Sequence, residues 1–426
     1  FRKGRMDGDL VWSLLVSTKM LVENLVVTRS GKIEIGTAAG RVPTSITHEI
    51  IISDRHFPTD NRTPTDLDFA NDTRLIGRGL INLGELTIWA EDRLRWSKTV
   101  LGVAPLAGDT MCVLEDDTSS WSVGDEIAIP GTILGALGEG QTEYRTLNSV
   151  GPGGAIGWAT PLVYDHDHHN ASVIRDDLQP PVANLGSNVT IRSESDQTPA
   201  HRRGHTMSMH HYCKHDVWGV LFKDLGRTQK SNTTPAGTIH TDGTVRVVDP
   251  WDKAVVDPVI TTSAMASDKN LQSRYPAHLH HCGFGKTFVD NYQDCVVSGS
   301  PGWAMVHHAC EAIMTNNVIY KFAGAGMVSE SGNEVGDWVG NCIFDTLNRF
   351  PRAQGPKELG ATAMGYGDRF RGGDAFAMTG RAMRVNSNYA ADCSAGWVFH
   401  HRYGATHDNI APIIEHDRTT LDLKDI

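Results

Sequence analysis

Residues 296–344 read VVSGSPGWAMVHHACEAIMTNNVIYKFAGAGMVSESGNEVGDWVGNCIF, and two short patterns recur within this stretch. Gly302-Trp-Ala-Met-Val306 is followed 22 residues later by Gly324-Ala-Gly-Met-Val328. Val296-Val297 is followed at the same step by Val318-Ile319, and 24 residues further by Cys342-Ile-Phe344. A repeat of this length, with two or three short strands per copy, is typical of a parallel β-helix, because stacking the coils buries their inner faces.

The rest of the chain carries similar strand signals. Short apolar runs such as Lys32-Ile-Glu-Ile-Gly36 are cut by Gly, Asn and Asp, which indicates strands between tight turns. Asn316, Asn317 and Asn341 precede strands of successive repeats, and we expect such Asn residues to stack at the bends. The sequence therefore predicts an all-β protein built as a right-handed parallel β-helix, with one short helix in the first twenty-odd residues. A sandwich of unrelated strands is the alternative.

Charge and composition narrow the possible partners. The 426 residues carry a formal net charge of −11 and no long basic run, so nucleic acid and anionic membranes are poor partners. The seven Cys are scattered without a Cys-x-x-Cys pair, which argues against a zinc ribbon and favours buried thiols. The 20 His are unusually numerous, and their clustering carries the functional argument.

No signal peptide or membrane span is visible in the sequence, because Leu10–Val27 is amphipathic and interrupted by charges. Asn-x-Ser/Thr triplets weakly favour a secreted or cell-surface glycoprotein; they begin at Asn61, Asn71, Asn170, Asn188 and Asn232. A capped solenoid can be a monomer, and we expect one here.

The N-terminal part resembles the domain named for its eight glycines, which occurs in fibrocystin and in the cell-surface hyaluronidases. The matching blocks include Gly31-Lys-Ile-Glu-Ile-Gly36, Gly77-Arg-Gly79, Gly84-Glu-Leu86 and Trp121-Ser-Val-Gly-Asp-Glu-Ile127. The resemblance implies an eight-glycine β domain over residues 17–150, followed by a β-helix over 151–426. The polar stretch at about 227–273 is expected to be a loop excursion that walls a binding groove.

A second region resembles the β-helix that follows this domain in the same proteins. The matching blocks are Gly204-His-Thr-Met-Ser-Met-His210, Arg274-Tyr-Pro-Ala-His-Leu-His280, Ala304-Met-Val-His-His308, Asn316-Asn-Val-Ile-Tyr320 and Gly324-Ala-Gly-Met-Val-Ser-Glu330. The resemblance implies a glycosaminoglycan-type substrate, hyaluronan foremost.

His278 and His280 form the most informative constellation. Residues i and i+2 of a strand point to one side of the sheet, so both imidazoles are expected on the same face. His308 lies in the next repeat and Glu330 lies 22 residues after it, so stacking would bring all four side chains together. Three imidazoles and a carboxylate suit a divalent ion such as Zn, Fe, Cu, Mn or, with less preference for imidazole, Ca. A ladder of hydrogen-bonded His, or an acid–base site without metal, is the alternative.

Three further residues are candidate catalytic groups. His210 is predicted to occupy the matching point one repeat before His280. Arg274 is the best candidate cation for binding a sugar carboxylate, and Tyr275 is a candidate for proton transfer.

Three functions remain open at this point. The first is a metal-dependent depolymerase, a hydrolase or lyase, of an acidic polysaccharide. The second is an iron- or copper-dependent oxidoreductase that uses the same three-His, one-Glu site. The third is a non-catalytic carbohydrate-binding or matrix module.

Overall fold

The computed structural model describes residues 3–54, 78–100, 103–132, 140–167, 179–198, 200–228, 230, 273–347 and 372–399, together with a strand pair at 238–239 and 245–246. The strands are β1 (Lys3–Met6), β2 (Asp9–Val11), β3 (Thr18–Val22), β4 (Asn24–Val27), β5 (Lys32–Ile35), β6 (His48–Ile52), β7 (Gly79–Asn82), β8 (Glu85–Trp89), β9 (Trp96–Lys98), β10 (Met111–Val113), β11 (Glu126–Ile129), β12 (Glu143–Val150), β13 (Ala155–Trp158), β14 (Pro181–Asn184), β15 (Val189–Ser193), β16 (His205–Met209), β17 (Lys214–Trp218), β18 (Leu221–Lys223), β19 (Thr238–Ile239), β20 (Val245–Arg246), β21 (Ala277–Gly283), β22 (Asp290–Gln293), β23 (Val296–Ser298), β24 (Met305–Thr315), β25 (Val318–Tyr320), β26 (Ala325–Ser329), β27 (Val335–Val339), β28 (Cys342–Phe344), β29 (Asp374–Met378), β30 (Ala382–Asn386), β31 (Tyr389–Ala390) and β32 (Ala395–Phe399). A short 3-10 helix spans Ala200–Arg202.

Three parallel sheets form the walls of a β-helix. Sheet A contains β1, β4, β7, β16, β21, β24, β26, β29 and β32; sheet B contains β2, β5, β8, β17, β22, the second half of β24, β27 and β30; sheet C contains β3, β6, β15, β18, β23, β25, β28 and β31. The chain runs A to B to C in each coil, which gives eight complete coils and the first strand of a ninth among the described residues. Crossovers between parallel strands are right-handed, so the predicted right-handed parallel β-helix is confirmed.

The 22-residue spacing predicted the strand register correctly. Met305 pairs with Met327, and Val296 pairs with Val318, in adjacent coils. The Asn ladder is also confirmed: the Asn317 amide donates to Oδ1 of Asn341 at 2.9 Å, both side chains being buried. Stacked coils repeat the same bend, so one side-chain amide satisfies the next.

The first coils begin earlier in the chain than expected. Residues 3–54 and 78–89 supply the first two coils and part of the third, because β6 pairs directly with β15 and β7 with β16. The short helix expected near the start is absent from the described residues, which form β1, β2 and β3 there. The division expected at residue 150 is therefore wrong: these residues belong to the same solenoid as the later coils.

An antiparallel sheet is inserted into the third coil, between β8 and β15. It consists of β9 to β14 and has its own core, which includes Trp121 and Trp158. Its other face packs on sheet C, where Ala128 and Ala183 belong to one apolar cluster with Val318. The outer face of sheet C is therefore covered, whereas the histidine blocks lie on sheet A.

Asn188 is a structural residue in this arrangement. It is only 6% exposed; its amide donates to the carbonyl oxygens of Val42, Pro43 and Ile46, and its Oδ1 accepts from the Glu91 amide. A glycan would replace these bonds, so this triplet does not serve as a glycosylation site. The other four triplets lie outside the described residues. Within the described ranges no helix is long and apolar enough to span a membrane.

Candidate metal centre

His278 and His280 project from the outer face of sheet A. Their strand neighbours Ala277 and Leu279 belong to the solenoid core, so strict alternation turns the two imidazoles outward together. Their ring centroids lie 5.0 Å apart.

Stacking adds the other two predicted residues. His280 pairs in register with His308 of the next coil, and the two ring centroids lie 4.6 Å apart. The ligand atoms of His278, His280 and His308 all lie within 4.8 Å of one another. Glu330 follows in the coil after that, with Oε2 3.2 Å from Nδ1 of His308. The structure therefore brings together the four residues predicted from the sequence, and we refer to them as the histidine cluster.

The cluster is buried, and its imidazoles are poorly satisfied. His278 is fully buried, and His308 and Glu330 are 14% and 5% exposed. Among the residues that the structure describes, both ring nitrogens of His278 and Nδ1 of His280 have no hydrogen-bond partner of normal geometry. The described contacts of these atoms therefore do not form the hydrogen-bonded ladder that is the alternative.

The electrostatics of the cluster oppose protonation. Burial, followed by the neighbouring imidazoles of His280 and His308, lowers the pKa of His278 well below its usual value, although the Ser273 backbone acts weakly in the opposite sense. Burial and the nearby His308 lower the pKa of His280 to about 3. Neutral imidazoles with free ring nitrogens are the form in which His binds metals.

His281 also contacts the histidine cluster, and the sequence analysis missed it. Its ring centroid lies 4.6 Å from that of His280 and 4.5 Å from that of His308. Strand alternation would place it on the opposite face, but its backbone adopts a left-handed conformation with φ of 53°. This turn swings the exposed ring back to the cluster; the run His280-His281 is the only sequence signal for it.

Arg274 and Tyr275 lie beside the cluster but are largely enclosed. Tyr275 is fully buried, stacked on Trp303 at 4.9 Å and edge-on to His278 at 5.3 Å. Arg274 is 9% exposed, and its positive charge contributes to the low pKa of His278 and of His280. Tyr275 therefore contacts His278 from the buried side of the cluster.

His210 does not occupy the position predicted for it. Met209, not His210, pairs with His280, so His210 is one residue out of register and lies in the exposed turn after β16. Its ring contacts His211 and Tyr212. The sequence analysis misplaced it because the repeat between these coils is interrupted by the excursion at 227–273, which removes the fixed spacing. Apart from its first residues and β19–β20, that excursion lies outside the described residues.

A second group of ligand-type side chains lies inside the solenoid. The ligand atoms of Cys213, Cys282 and Asp290 lie within 4.8 Å of one another, and all three are buried. Here the Lys286 ammonium pairs with the Asp290 carboxylate and also donates to the Cys213 carbonyl at 2.8 Å. Because this ammonium already neutralises the carboxylate, the group is less suited to a metal ion than the histidine cluster is.

Comparisons with known proteins were made on sequence and on structure. No family model matches the chain, and neither does any curated protein. The resemblance to the eight-glycine proteins therefore stays a prediction.

Distant structural neighbours are phage tailspikes. The gp61 tailspike of Pseudomonas phage phi297 matches at 8% identity and a TM-score of 0.20, over 88% of this chain and 67% of that one. The gp49 tailspike of Pseudomonas phage LKA1 matches at 8% identity and 0.18, over 90% and 73%. The Gp54 tailspike of Acinetobacter baumannii bacteriophage AP22, solved with a capsular saccharide, matches at 9% identity and 0.18, over 95% and 68%. These scores carry no argument about activity, which therefore rests on the site.

Proposed function

We propose that this β-helix is a metal-dependent depolymerase of an acidic polysaccharide, acting outside the cell on the outer face of sheet A. One observation carries the proposal: the ligand atoms of His278, His280 and His308 lie within 4.8 Å of one another, with Glu330 next to them. Catalytic zinc sites hold the ion with three protein ligands, such as three imidazoles, and keep a further position for water or substrate.

Burial supports a metal more than an acid–base site. Desolvated imidazoles that lack hydrogen bonds cost free energy, and a bound cation offsets that cost. A proton could offset this cost for only one ring, because a second protonated imidazole nearby would be repelled. The neighbouring rings already lower the pKa of His280.

The shape of the fold supports a linear polymer as substrate. Each coil adds one more copy of the same strand and turn along the axis, so successive coils offer successive sugar units similar contacts. The sequence resemblance to cell-surface hyaluronidases favours a glycosaminoglycan, and the positive charge of Arg274 near the cluster favours an acidic substrate.

The residues at the cluster would have different roles in the reaction. A divalent ion held there would polarise a sugar carboxylate or acidify a bound water. Glu330, whose Oε2 lies 3.2 Å from Nδ1 of His308, would supply the carboxylate ligand beside the imidazoles. His281 is exposed at the edge of the cluster and is the imidazole best placed to exchange a proton with a bound polymer.

Elemental analysis of the purified protein tests this proposal. We expect about one equivalent of a divalent metal in the native protein, and its loss in His280→Ala and Glu330→Gln. His211→Ala is the matched control, because His211 is exposed and lies outside the cluster. Unchanged metal content in both cluster variants would overturn the site.

The same preparations decide the reaction class. Release of reducing or unsaturated sugar ends from hyaluronan, lost in His280→Ala, supports the depolymerase. Bound iron or copper with oxygen uptake, and no new sugar ends, would replace it with the oxidoreductase. Polymer binding without cleavage in the metal-loaded protein would replace it with the non-catalytic module.

A further inference from the structure

Three aromatic rings project from the turn that joins sheets A and B in the fourth coil. The ring centroid of Tyr212 lies 4.9 Å from that of His210 and 3.7 Å from that of His211. Tyr212 is 50% exposed, so part of its ring is accessible to a ligand. His210 has φ of 82°, and His281 at the same turn of the next coil is also left-handed, so this conformation belongs to the bend of the coil. We call His210, His211 and Tyr212 the aromatic platform.

The guanidinium group of Arg29 stacks on the aromatic platform. The Arg29 guanidinium carbon lies 3.8 Å from the centroid of the Tyr212 ring, in stacking contact. Arg29 is exposed, and within the described ranges it forms no salt bridge and donates no side-chain hydrogen bond. The nearby carboxylate of Asp7 is already engaged by Arg5 and Thr28. Stacking fixes the guanidinium plane and leaves its N–H groups free for an anion.

The contact between Arg29 and Tyr212 spans two coils. Extending the register of β4, β7 and β16 aligns Arg29, Gly84 and His210 at the same turn of coils two, three and four. The turn of the third coil has only Leu83 and Gly84 between β7 and β8, whereas four residues lie between β4 and β5 and four between β16 and β17. Because this turn is shorter, Arg29 can cross the third coil and reach Tyr212. In the fifth coil the same position is His281, which contacts the histidine cluster.

The aromatic platform therefore lies on the same edge as the histidine cluster. Coils are spaced about 4.8 Å apart, so Tyr212 and His308 are separated by roughly 10 Å along the axis. A polymer chain lying along this edge would contact the ring and guanidinium group on one side and the cluster on the other.

We propose that Arg29 and Tyr212 form a subsite that binds an acidic sugar unit of the polymer, next to the unit held at the histidine cluster. The apolar face of the sugar stacks on the Tyr212 ring, and its carboxylate pairs with Arg29. This inference rests on the proposed function and goes beyond it, because it assigns recognition of the acidic group to a residue two coils before the platform.

Binding measurements with two matched oligosaccharides test the subsite. Hyaluronan oligosaccharide and its carboxyl-reduced, uncharged analogue are titrated calorimetrically into the wild type, Arg29→Gln, Tyr212→Ala and Arg384→Gln. Arg384 is an exposed cation on sheet B, paired with Asp337, and is the charge-matched control. We expect Arg29→Gln to weaken binding of the acidic oligosaccharide about tenfold while leaving the analogue unchanged. Tyr212→Ala weakens binding of both.

The outcomes separate this inference from the proposed function. Equal affinity of Arg29→Gln and Arg384→Gln for the acidic oligosaccharide would overturn the subsite, while loss of metal and cleavage in His280→Ala would still support the function. Wild-type protein that binds neither oligosaccharide would overturn both. Metal content in Arg29→Gln stays at the wild-type level if the subsite is separate from the cluster.

Discussion

Replacing Asn317 by Ala tests the physical basis of coil stacking. The Asn317 side chain is fully buried, its Oδ1 accepts from the Cys295 amide at 2.9 Å, and its amide donates to the Tyr292 carbonyl at 3.0 Å and to Oδ1 of Asn341 at 2.9 Å. Alanine removes three hydrogen bonds and leaves the Cys295 N–H buried without a partner.

The expected loss follows from these contacts. A buried hydrogen bond contributes about 1 kcal/mol net, and an orphaned buried donor costs about 1–3 kcal/mol. Two lost bonds at about 1 kcal/mol each, together with the orphaned Cys295 N–H, lower the expected free energy of unfolding of Asn317→Ala by about 3–5 kcal/mol. Asn386→Ala is the control, because Asn386 is an exposed Asn at the end of β30, and its loss should cost at most about 0.5 kcal/mol.

Urea unfolding followed by Trp fluorescence measures the difference, and hydrogen exchange of the Cys295 amide localises it. That amide should exchange faster in Asn317→Ala but not in Asn386→Ala. If the two variants unfold at the same urea concentration and the Cys295 amide keeps its protection, the ladder does not hold the coils together and the reasoning fails.

Two further predictions concern the inserted sheet and the first coils. Burial raises the pKa of Asp125, but hydrogen bonds from Arg93 and other partners outweigh it, so the net pKa is below the usual value. Its stabilising contribution is therefore present above the unfolded pKa of about 3.9 and is lost as the pH falls through the lower folded value. Asp125→Asn should cost about 2 kcal/mol in urea unfolding at pH 7 and progressively less below about pH 4, whereas an equal cost at both pH values would contradict the shift. A Cβ on Gly84 would lie 2.1 Å from the Thr28 carbonyl oxygen, whereas one on Gly8 would meet nothing within 4 Å. Gly84→Ala should lower the free energy of unfolding by about 3 kcal/mol and Gly8→Ala by less than about 1 kcal/mol, so similar thermal melts would contradict the close packing of the coils.

The fifth to seventh coils could be predicted from the sequence because no long insertion separates them. A constant step of 22 residues between Val296 and Val318 means that the same side chain returns to the same wall, and strand pairing then has one favourable register. The same 22-residue step places Glu330 one coil after His308, and strand alternation places His278 and His280 on one face. His280 and His308 are 28 residues apart, so their pairing in adjacent coils follows from the order of the sequence blocks and not from that step.

The coils that insertions interrupt could be recognised only from the tertiary structure. The third coil closes only after the inserted sheet, so β8 and β15 share a coil across residues 90–188, and no sequence period reveals it. His281 contacts the cluster through a left-handed turn, and Arg29 reaches Tyr212 across the shorter turn of the third coil. The sequence period determines which residues recur on the same sheet, because similar coils stack at one spacing. The direction of the backbone at the turns is determined only when the chain packs. The pairing of coils that insertions separate is also determined only then.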